Sequence, residues 1–516
     1  MTRTIVFFPP GDPENPYNWS TGKKVFALLT AVSTVMNSTI GSSLAAGISA
    51  SITKEWGVTN QAQLVLPTSI YLVGYTVGPT LFGPLSEHYG RNRVMAAAFL
   101  IYTAFCLGCA LAPNFASFIV FRLLAGIGAS CPIAVVGGIC ADVFGSPLSR
   151  GRAMALFMAT TTFGPCAGPV ISGYVTPTSW RWSFWAGLIL TAPGWIMLSL
   201  AKETYGPVLL KKRAEKMRKE TGNMNIVAPV ELEPRDLRHI IMVVLTRPLR
   251  MILFEALVGF TCVYVSLVYA IFYIYLQVFP IIFGGVYGWT IGEQGLAFLA
   301  IGVGAMGSGL SYLLYDKILA NARARDAPWS RSEEFRRLPL ACAGGPFIVL
   351  SCFWIGWSAK SSVHWIVPVL SGLSFGLGYL LIFMALLNYL VDAYEIFAAS
   401  AMAATSMSRS LFGAVLPFAA KPMYDTLGIA WGSSLLGFLS IGMCFIPFAF
   451  IIWGDRIRAN SKFCQHLAKM KEERQRQEER EREKAEIRKA REVAARGAQE
   501  KAVESGVFDK DIEKQG

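Results

Sequence analysis

The sequence predicts an all-α membrane protein with twelve transmembrane helices in two pseudo-symmetric six-helix bundles. Hydrophobic residues make up 53% of the 516 residues and charged residues only 16%, and the mean hydropathy is +0.44. This composition is too apolar for an ordinary soluble protein. The apolar residues form about twelve runs of about 20 residues, the length at which a helix crosses a bilayer. A polar segment in the middle of the chain separates six runs from six.

The first six spans follow residues 1–24, a polar and proline-containing segment that we expect to be a cytoplasmic tail. They form a predicted N-terminal bundle over residues 25–202. The spans lie at about residues 25–47, 64–85, 94–112, 115–141, 152–175 and 182–202. Residues 203–248 are rich in Lys and Arg, which predicts a cytoplasmic linker carrying one amphipathic helix.

The second six spans form a predicted C-terminal bundle over residues 249–454. They lie at about residues 250–283, 291–315, 339–359, 364–391, 397–420 and 429–454. Residues 455–516 form a charged tail, in which opposite charges recur at helical spacing without an apolar stripe. We expect a solvated cytoplasmic helix there; the alternative is a segment that binds a partner.

The net charge of +13 is spread over alternate loops and the tail, so it does not indicate nucleic-acid binding. Basic residues gather in the loops that the span order places on one side, which predicts that both termini are cytoplasmic. Those predicted inner loops contain Arg91, Arg93, Arg150, Arg152, Arg323, Arg325, Arg331, Arg336 and Arg337, against Lys54, Arg181, Lys360 and Lys421 outside. We expect a monomer in the plasma membrane.

The loop between spans 2 and 3 combines a carboxylate, two guanidinium groups and two glycines that permit a sharp reversal. These residues are Gly83, Glu87, Gly90, Arg91 and Arg93. They resemble the loop signature of the major facilitator superfamily, here in a form common in fungal twelve-span drug:proton antiporters of the polyamine and multidrug branch. The resemblance implies a gating role for Glu87, Gly90, Arg91 and Arg93. The alternative is a charged loop that only sets the topology.

Span 5 is rich in Gly and Pro, which kink a helix and let a neighbouring helix approach closely. The residues are Gly164, Pro165, Gly168, Pro169 and Gly173. They resemble the antiporter motif of the same superfamily, which implies export in exchange for protons. Any kinked packing helix is the alternative interpretation.

Arg122 in span 4 lies at bilayer depth, so it must face the bundle interior and find polar partners. Its surroundings resemble the span-4 motif of the superfamily, which implies a part in proton coupling. The alternatives are an Arg that snorkels outward and one that props two helices apart.

Acids within the spans are few, and Glu255 near the start of span 7 is the first candidate proton carrier. It is equally compatible with an ion pair to Arg247 or Arg250. In the second half, Asp392 and Glu395 at an inner turn are candidates for a charge relay with Arg409 or with the basic residues of other inner loops. The alternative is that Asp392 caps a helix start. Asp316 and Lys317 are the expected remnant of the loop signature.

Aromatic residues of span 7 offer ring faces for an amphipathic cation or a flat organic solute, although they are equally compatible with packing or lipid contact. The tentative cavity residues are Asn37, Tyr264, Tyr269, Tyr273 and Asn388. The four His are scattered, and no cluster of nucleophile, metal ligands or phosphate-binding residues indicates an enzyme or a cofactor.

The sequence therefore predicts a secondary active transporter, in which a proton-coupled antiporter exports amphipathic small molecules such as drugs, toxins or secondary metabolites. Its expected partners are a small-molecule substrate, protons and the lipid bilayer. The alternatives are a transporter of polyamines or other small metabolites and a nutrient sensor that does not transport.

Overall fold

A computed structural model describes residues 4–9, 11–232, 237–332, 334–461, 463–467 and 469–470, together with Glu472 and Arg476. The chain divides into two compact units, Met1–Ile457 and Arg458–Gly516. The helix bundles described below lie in the first unit, apart from the last three residues of the final helix. Most of the predicted tail helix falls outside the described residues.

The first bundle consists of six long helices, each of which corresponds to a predicted span. They are α1 (Thr21–Ser43), α3 (Gln61–Tyr89), α4 (Arg91–Ala110), α5 (Phe115–Val143), α6 (Pro147–Val175) and α7 (Arg181–Leu200). Side chains of Asn60, Asn114 and Ser146 cap α3, α5 and α6 by accepting backbone N–H bonds. Helices α1, α3, α4 and α6 begin three to five residues before the predicted spans, whereas α1, α4 and α7 end two to four residues before the predicted ends.

A short helix that the sequence pattern does not predict, α2 (Ser49–Trp56), joins α1 to α3. Glu55 of α2 accepts hydrogen bonds from Arg181 at 2.7 Å and from the Trp180 indole at 2.5 Å, which ties α2 to the start of α7. Burial raises the pKa of the Glu55 carboxyl, but the hydrogen bonds from Trp180 and Arg181 outweigh this effect, so the pKa falls below its ordinary value.

The linker contains the predicted amphipathic helix, α8 (Gly206–Thr221), followed by β2 (Ile226–Val227) and α9 (Pro229–Leu232). Strand β2 pairs in parallel with β1 (Thr4–Ile5) from the N-terminal segment. The next helix, α10 (Leu237–Phe254), runs across residue 248, where the linker is predicted to end.

The N-terminal segment is held on the linker by a small core and by ion pairs. Val6, Ala214 and Ile226 are buried together. Arg213 lies 2.6 Å from Asp12 and 2.8 Å from Glu14. The hydrogen bond from Arg213 holds the pKa of the Asp12 carboxyl below its ordinary value.

The second bundle also consists of six helices that correspond to predicted spans. They are α11 (Ala256–Phe279), which continues as a π-helical segment (Pro280–Val286), α12 (Ile291–Ala324), α13 (Glu334–Ser358), α14 (Ile366–Tyr394), α15 (Ala398–Val415) and α16 (Pro417–Asn460). Gly428, with φ 72° and ψ 172°, divides α16 into two helical segments. Predicted span 11 therefore comprises α15 and the first segment of α16.

Among the described residues, eleven helices are long and apolar enough to cross a membrane. The twelfth, α15, has 18 residues with many Ala and Ser, and only its continuation into α16 gives predicted span 11 its length.

The two bundles repeat the same packing. In the first bundle α5 packs on α3 and α4, and α6 packs on α1; in the second, α14 packs on α12 and α13, and α15 packs on α11. Between the bundles, α6 packs on α12 and α3 packs on α15. Because every one of these pairs maps onto another when the halves are exchanged, the fold is pseudo-symmetric. We call the two contacts between the bundles the seam.

Candidate functional site

Glycines of α6 and α12 bring the two bundles into backbone contact at the seam. A Cβ atom on Gly173 would lie 2.5 Å from the carbonyl oxygen of Ile291, and one on Gly295 would lie 2.5 Å from that of Pro169. No larger residue fits at either position without moving a helix. The predicted antiporter-motif helix α6 therefore forms one side of the α6–α12 contact of the seam. Small residues let its backbone touch that of α12.

The same helix packs on α1 through its other glycines. A Cβ on Gly164 would overlap the Thr39 hydroxyl, and one on Gly168 would overlap that of Ser43. Pro165 and Pro169 lie inside α6, where each removes a backbone donor. The motif thus joins α1, α6 and α12.

Tyrosines of α11 make the polar contacts at the centre of the molecule. The Tyr273 hydroxyl lies 2.8 Å from Ser42 Oγ of α1, and the Tyr269 hydroxyl donates to Tyr273 at 3.4 Å. Both tyrosines are buried. These contacts join the second bundle to the first, and the assignment of both tyrosines to a substrate cavity stays a prediction.

Arg122 of α5 faces the interior and donates hydrogen bonds to three backbone carbonyls. Its Nε donates to Pro67 at 2.8 Å, Nη1 to Gly41 at 2.8 Å and Nη2 to Ser42 at 3.3 Å. The guanidinium also lies 4.4 Å from the centre of the Tyr71 ring. The alternative of an outward-snorkelling Arg is wrong. These hydrogen bonds join α5 to α1 and α3.

Arg409 of α15 is buried against aromatic faces. Its guanidinium carbon lies 5.4 Å from the centre of the Tyr269 ring and 5.7 Å from that of Phe383. The buried Nε has no hydrogen-bond partner within the described part of the chain. The predicted relay between Arg409 and Asp392 is absent from the salt bridges between described residues, because Asp392 pairs elsewhere.

Glu255 lies at the junction of α10 and α11, where its extended backbone, φ −108° and ψ 107°, interrupts the helix. Glu255 therefore directly precedes α11, the helix of predicted span 7. Its side chain is buried and accepts a hydrogen bond from the Tyr394 hydroxyl at 3.0 Å. The described part of the structure pairs it with neither Arg247 nor Arg250, and Arg247 instead lies over the Phe397 ring at 5.3 Å.

The predicted loop signature builds a compact ionic cluster, which we call the first latch: Glu87, Gly90, Arg91, Asp142 and Glu203. Arg91 Nε lies 3.0 Å from Asp142 Oδ2 at the end of α5, and Arg91 Nη1 lies 3.9 Å from Glu87. The Arg91 guanidinium also donates to Ser86 Oγ at 2.7 Å.

Glu203 completes the first latch at the N-terminus of α4. Its carboxylate accepts from the backbone N–H of Arg91 at 2.8 Å and of Asn92 at 3.3 Å, where the helix dipole favours negative charge. Gly90 has φ 102°, and a Cβ there would overlap this carboxylate. Arg93 is exposed and takes no part.

The second bundle carries a counterpart, in which Asp392 pairs with a basic residue of a predicted inner loop, one of the two relays that the sequence left open. Asp392 at the end of α14 lies 3.3 Å from Arg337 at the start of α13, and Arg337 donates to the Tyr312 hydroxyl of α12 at 2.5 Å. We call Tyr312, Arg337 and Asp392 the second latch. Asp316 and Lys317, the expected remnant, are both exposed. Asp392 lies within α14, so it caps no helix start.

The remaining predicted cavity residues lie away from the seam contacts. Tyr264 packs against Cys444 of α16 at 3.9 Å between oxygen and sulfur. Asn37 donates to its own helix, at Ser33, and Asn388 does the same at Met384. Their amides therefore have local partners, although Asn37 Oδ1 is buried without one in the described residues.

Two repeated six-helix bundles, joined by close glycine contacts and by buried polar groups between them, are the architecture of many secondary transporters. The sequence profile described as Major Facilitator Superfamily matches residues 27–417. The chain belongs to this superfamily.

Curated relatives cover most of the chain. It is 40% identical over 453 residues to MFS transporter prlG of Fungal sp. (strain NRRL 50135), covering 87% of this chain and 95% of that one. It is 37% identical over 468 residues to efflux pump FUB11 of Gibberella moniliformis, covering 90% and 78%. It is 36% identical over 459 residues to MFS-type transporter penM of Penicillium rubens, covering 88% and 89%.

Solved structures share the fold at low identity. The proton:xylose symporter XylE superposes with a TM-score of 0.60 at 15% identity, covering 84% of this chain and 97% of that one. The human organic anion transporter MFSD10 superposes with a TM-score of 0.57 at 18% identity, covering 85% and 100%. These likenesses establish the architecture alone.

Proposed function

We propose that this protein is a proton-coupled antiporter that exports amphipathic small molecules by alternating access. The observation that carries the proposal is the seam, where the antiporter-motif helix α6 meets α12 through the backbone contacts of Gly173 and Gly295. Small residues at both faces let one bundle rock against the other without repacking side chains. The printed name of a relative, efflux pump FUB11, supports the outward direction.

The energy for export comes from proton entry. One proton moving down about 100 mV releases about 2.3 kcal/mol, and each pH unit adds about 1.4 kcal/mol, so one-for-one exchange sustains a large gradient of a neutral solute. In this proposal the protein works as a monomer in the plasma membrane, with both termini in the cytoplasm.

Glu255 is the proposed proton carrier. It is a buried carboxyl whose one hydrogen bond among the described residues comes from the neutral Tyr394 hydroxyl, so protonation breaks no ion pair. Its place between α10 and α11 couples its charge to the junction of two helices. Arg122, by holding carbonyls of α1 and α3, is proposed to transmit movement within the first bundle.

The test is accumulation of fluorescent and antifungal amphipathic compounds in a transport-deficient yeast that expresses the full chain, with and without a protonophore. We expect lower accumulation that is abolished by the protonophore. Glu255→Gln, which fixes a neutral side chain, should abolish the effect at equal expression. Glu215→Gln on the exposed face of α8 is the control and should export normally.

Two results would contradict this proposal at different points. Export that persists after the protonophore would exclude proton coupling. Normal, protonophore-sensitive export by Glu255→Gln would leave antiport standing but remove Glu255 as the carrier.

A further inference from the structure

Three arginines in the described part of the chain are buried, and they differ in how their charge is satisfied. Arg91 is paired with the Asp142 carboxylate, and Arg122 donates to three carbonyls. The Arg409 side chain, 8% exposed, makes no hydrogen bond or ion pair to a described residue, and its Nε is a buried donor without a partner. A buried guanidinium without an anion or carbonyl partner is strongly unfavourable.

The α-helices packed against α15 offer no free acid to compensate Arg409. Helix α10 contains no Asp or Glu, and the one acid of α3, Glu87, lies 3.9 Å from Arg91 in the first latch. Helices α11 and α15 contain no Asp or Glu. The one acid of α14, Asp392, is bonded to Arg337 in the second latch. What surrounds the guanidinium instead is aromatic: Tyr269 and Phe383 lie within 6 Å, and Tyr379 stacks on Phe383 with ring centres 4.4 Å apart.

This place lies beside the seam. One turn along α15 from Arg409, a Cβ on Gly413 would lie 2.9 Å from the Tyr269 ring and 3.3 Å from Leu72 of α3. The Tyr269 hydroxyl donates to the Tyr273 hydroxyl, which in turn hydrogen-bonds Ser42 of the first bundle. Transporters with repeated halves bind their substrates between the halves, so the unpaired charge is where a substrate would sit.

We propose that Arg409 is the anion-binding residue of the substrate site and that the substrates are organic monoanions, carboxylates on a flat apolar body. A carboxylate accepts two parallel bonds from a guanidinium fork, and the faces of Tyr269 and Phe383 hold the flat body beside it. This inference rests on the proposed export function and names its substrate class. The sequence analysis gives the aromatic residues to an amphipathic cation or a flat organic solute. In this proposal they hold the flat apolar body of an organic anion.

The test uses three probes of one shape and different charge: 2-naphthoate, the neutral 2-naphthamide and the cationic 2-naphthylmethylammonium. Their binding to the purified full chain in detergent is measured by equilibrium dialysis at pH 7.5. We expect naphthoate to bind at least about tenfold more tightly than either other probe. Arg409→Gln should remove this preference, and Arg150→Gln, at an exposed position on α6, should retain it.

Equal binding of the three probes by the unmodified protein overturns the proposal, and so does a preference that survives in a monodisperse Arg409→Gln. If that variant does not fold, Arg409→Lys decides: it keeps the charge but loses the planar fork, so the preference should weaken yet persist, and an undiminished preference overturns the proposal.

The two proposals fail separately. Proton-dependent export without discrimination among the probes overturns the anion site alone. Anion-selective binding without proton-dependent export overturns antiport alone.

Discussion

Buried arginines organise the interior of this transporter, and each is compensated by a different kind of partner. Arg91 has a carboxylate, Arg122 has backbone carbonyls, and Arg409 has ring faces. A carboxylate neutralises the charge and makes a local latch; carbonyls bind it to other helices without neutralising it. Ring faces contribute only about 0.5 to 2 kcal/mol, which leaves most of the attraction of Arg409 for an anion unused.

The Gly90 backbone yields the sharpest prediction at the scale of a residue. Its φ of 102° and ψ of 149° are accessible to glycine almost alone, and a Cβ would overlap the Glu203 carboxylate that caps α4. Gly90→Ala should therefore destabilise the folded protein by about 1 to 3 kcal/mol or more. The measurement is denaturation of the full chain in detergent, followed by circular dichroism.

Gly83→Ala is the matched control in the same segment, because Gly83 lies inside α3 with open space where a Cβ would be. We expect it to be neutral or slightly stabilising. Equal losses in both variants would show that the backbone of Gly90 and its contact with Glu203 are not what the first latch requires.

At the scale of residues, the sequence shows which residues cost free energy in the folded state, but not which groups offset that cost. The charge of Arg91 and the bend at Gly90 follow from their spacing in a short loop. Asp142 and Glu203 could not be assigned, since they lie 51 and 112 positions away from Arg91 and reach it only through packing of α4 against α5 and α7.

Helix α6 is the element through which the two bundles make their closest glycine contacts. Gly164 and Gly168 face α1, whereas Gly173 faces Ile291 of α12, so one helix contacts its own bundle and the other bundle at once. Helix α6 therefore connects α12 to α1 by direct contacts on both sides. Ser42 of α1 also hydrogen-bonds Tyr273 of the second bundle.

Enlarging the seam contact tests this role. Gly173→Ala places a methyl group 2.5 Å from the Ile291 carbonyl oxygen, which is backbone and cannot rotate away. Overpacking of this kind costs about 1 to 3 kcal/mol, so export in the yeast assay should fall by about tenfold if one conformation bears that cost.

Gly151→Ala near the start of the same helix is the control, because no atom lies within 4 Å of its Cβ position. It should export like the unmodified protein. Normal export by Gly173→Ala at equal expression would mean that the α6–α12 contact need not stay this close during the cycle.

Helix existence followed from hydropathy, because the bilayer imposes a length on each span. One break followed and one did not. Gly428, which divides α16, lies in the connection predicted between spans 11 and 12, whereas Glu255 interrupts the helix inside predicted span 7 and no polar loop marks it there. Nor does hydropathy distinguish the helices at the seam: α3, α6 and α12 are apolar like their neighbours, whereas α15 falls short of a membrane span on length and composition.

The whole molecule is a repeat in which chemistry has diverged more than packing. Both bundles end one face with an Arg–Asp pair between corresponding helices, Arg91 with Asp142 and Arg337 with Asp392. The first latch has glycines and a capping carboxylate, whereas the second uses the Tyr312 hydroxyl. Because of that divergence, the loop signature of the first bundle matches only the exposed Asp316 and Lys317 in the second.

The two latches should contribute unequally to stability, because their burial differs. The side chains of Arg91 and Asp142 are 8% and 15% exposed, those of Arg337 and Asp392 are 14% and 33% exposed, and those of the surface pair Lys421 and Asp425 are 40% and 58% exposed. Removing one partner of a buried pair costs about 3 to 5 kcal/mol, while an exposed pair is worth about 0 to 1 kcal/mol. Asp142→Asn should therefore destabilise most, Asp392→Asn less, and Asp425→Asn hardly at all.

Denaturation of the three variants in one detergent, under identical conditions, measures this order, and the identical chemical change makes each a control for the others. A loss for Asp392→Asn as large as that for Asp142→Asn would mean that the Tyr312 hydroxyl does not hold Arg337 once its carboxylate is gone. A negligible loss for Asp142→Asn would mean that Ser86 and the Tyr205 ring, 4.8 Å from the Arg91 guanidinium, suffice to keep that charge in place. In either case the other partners of each arginine would decide how much its ion pair stabilises the fold. The burial of the pair would then not predict the order of the three variants.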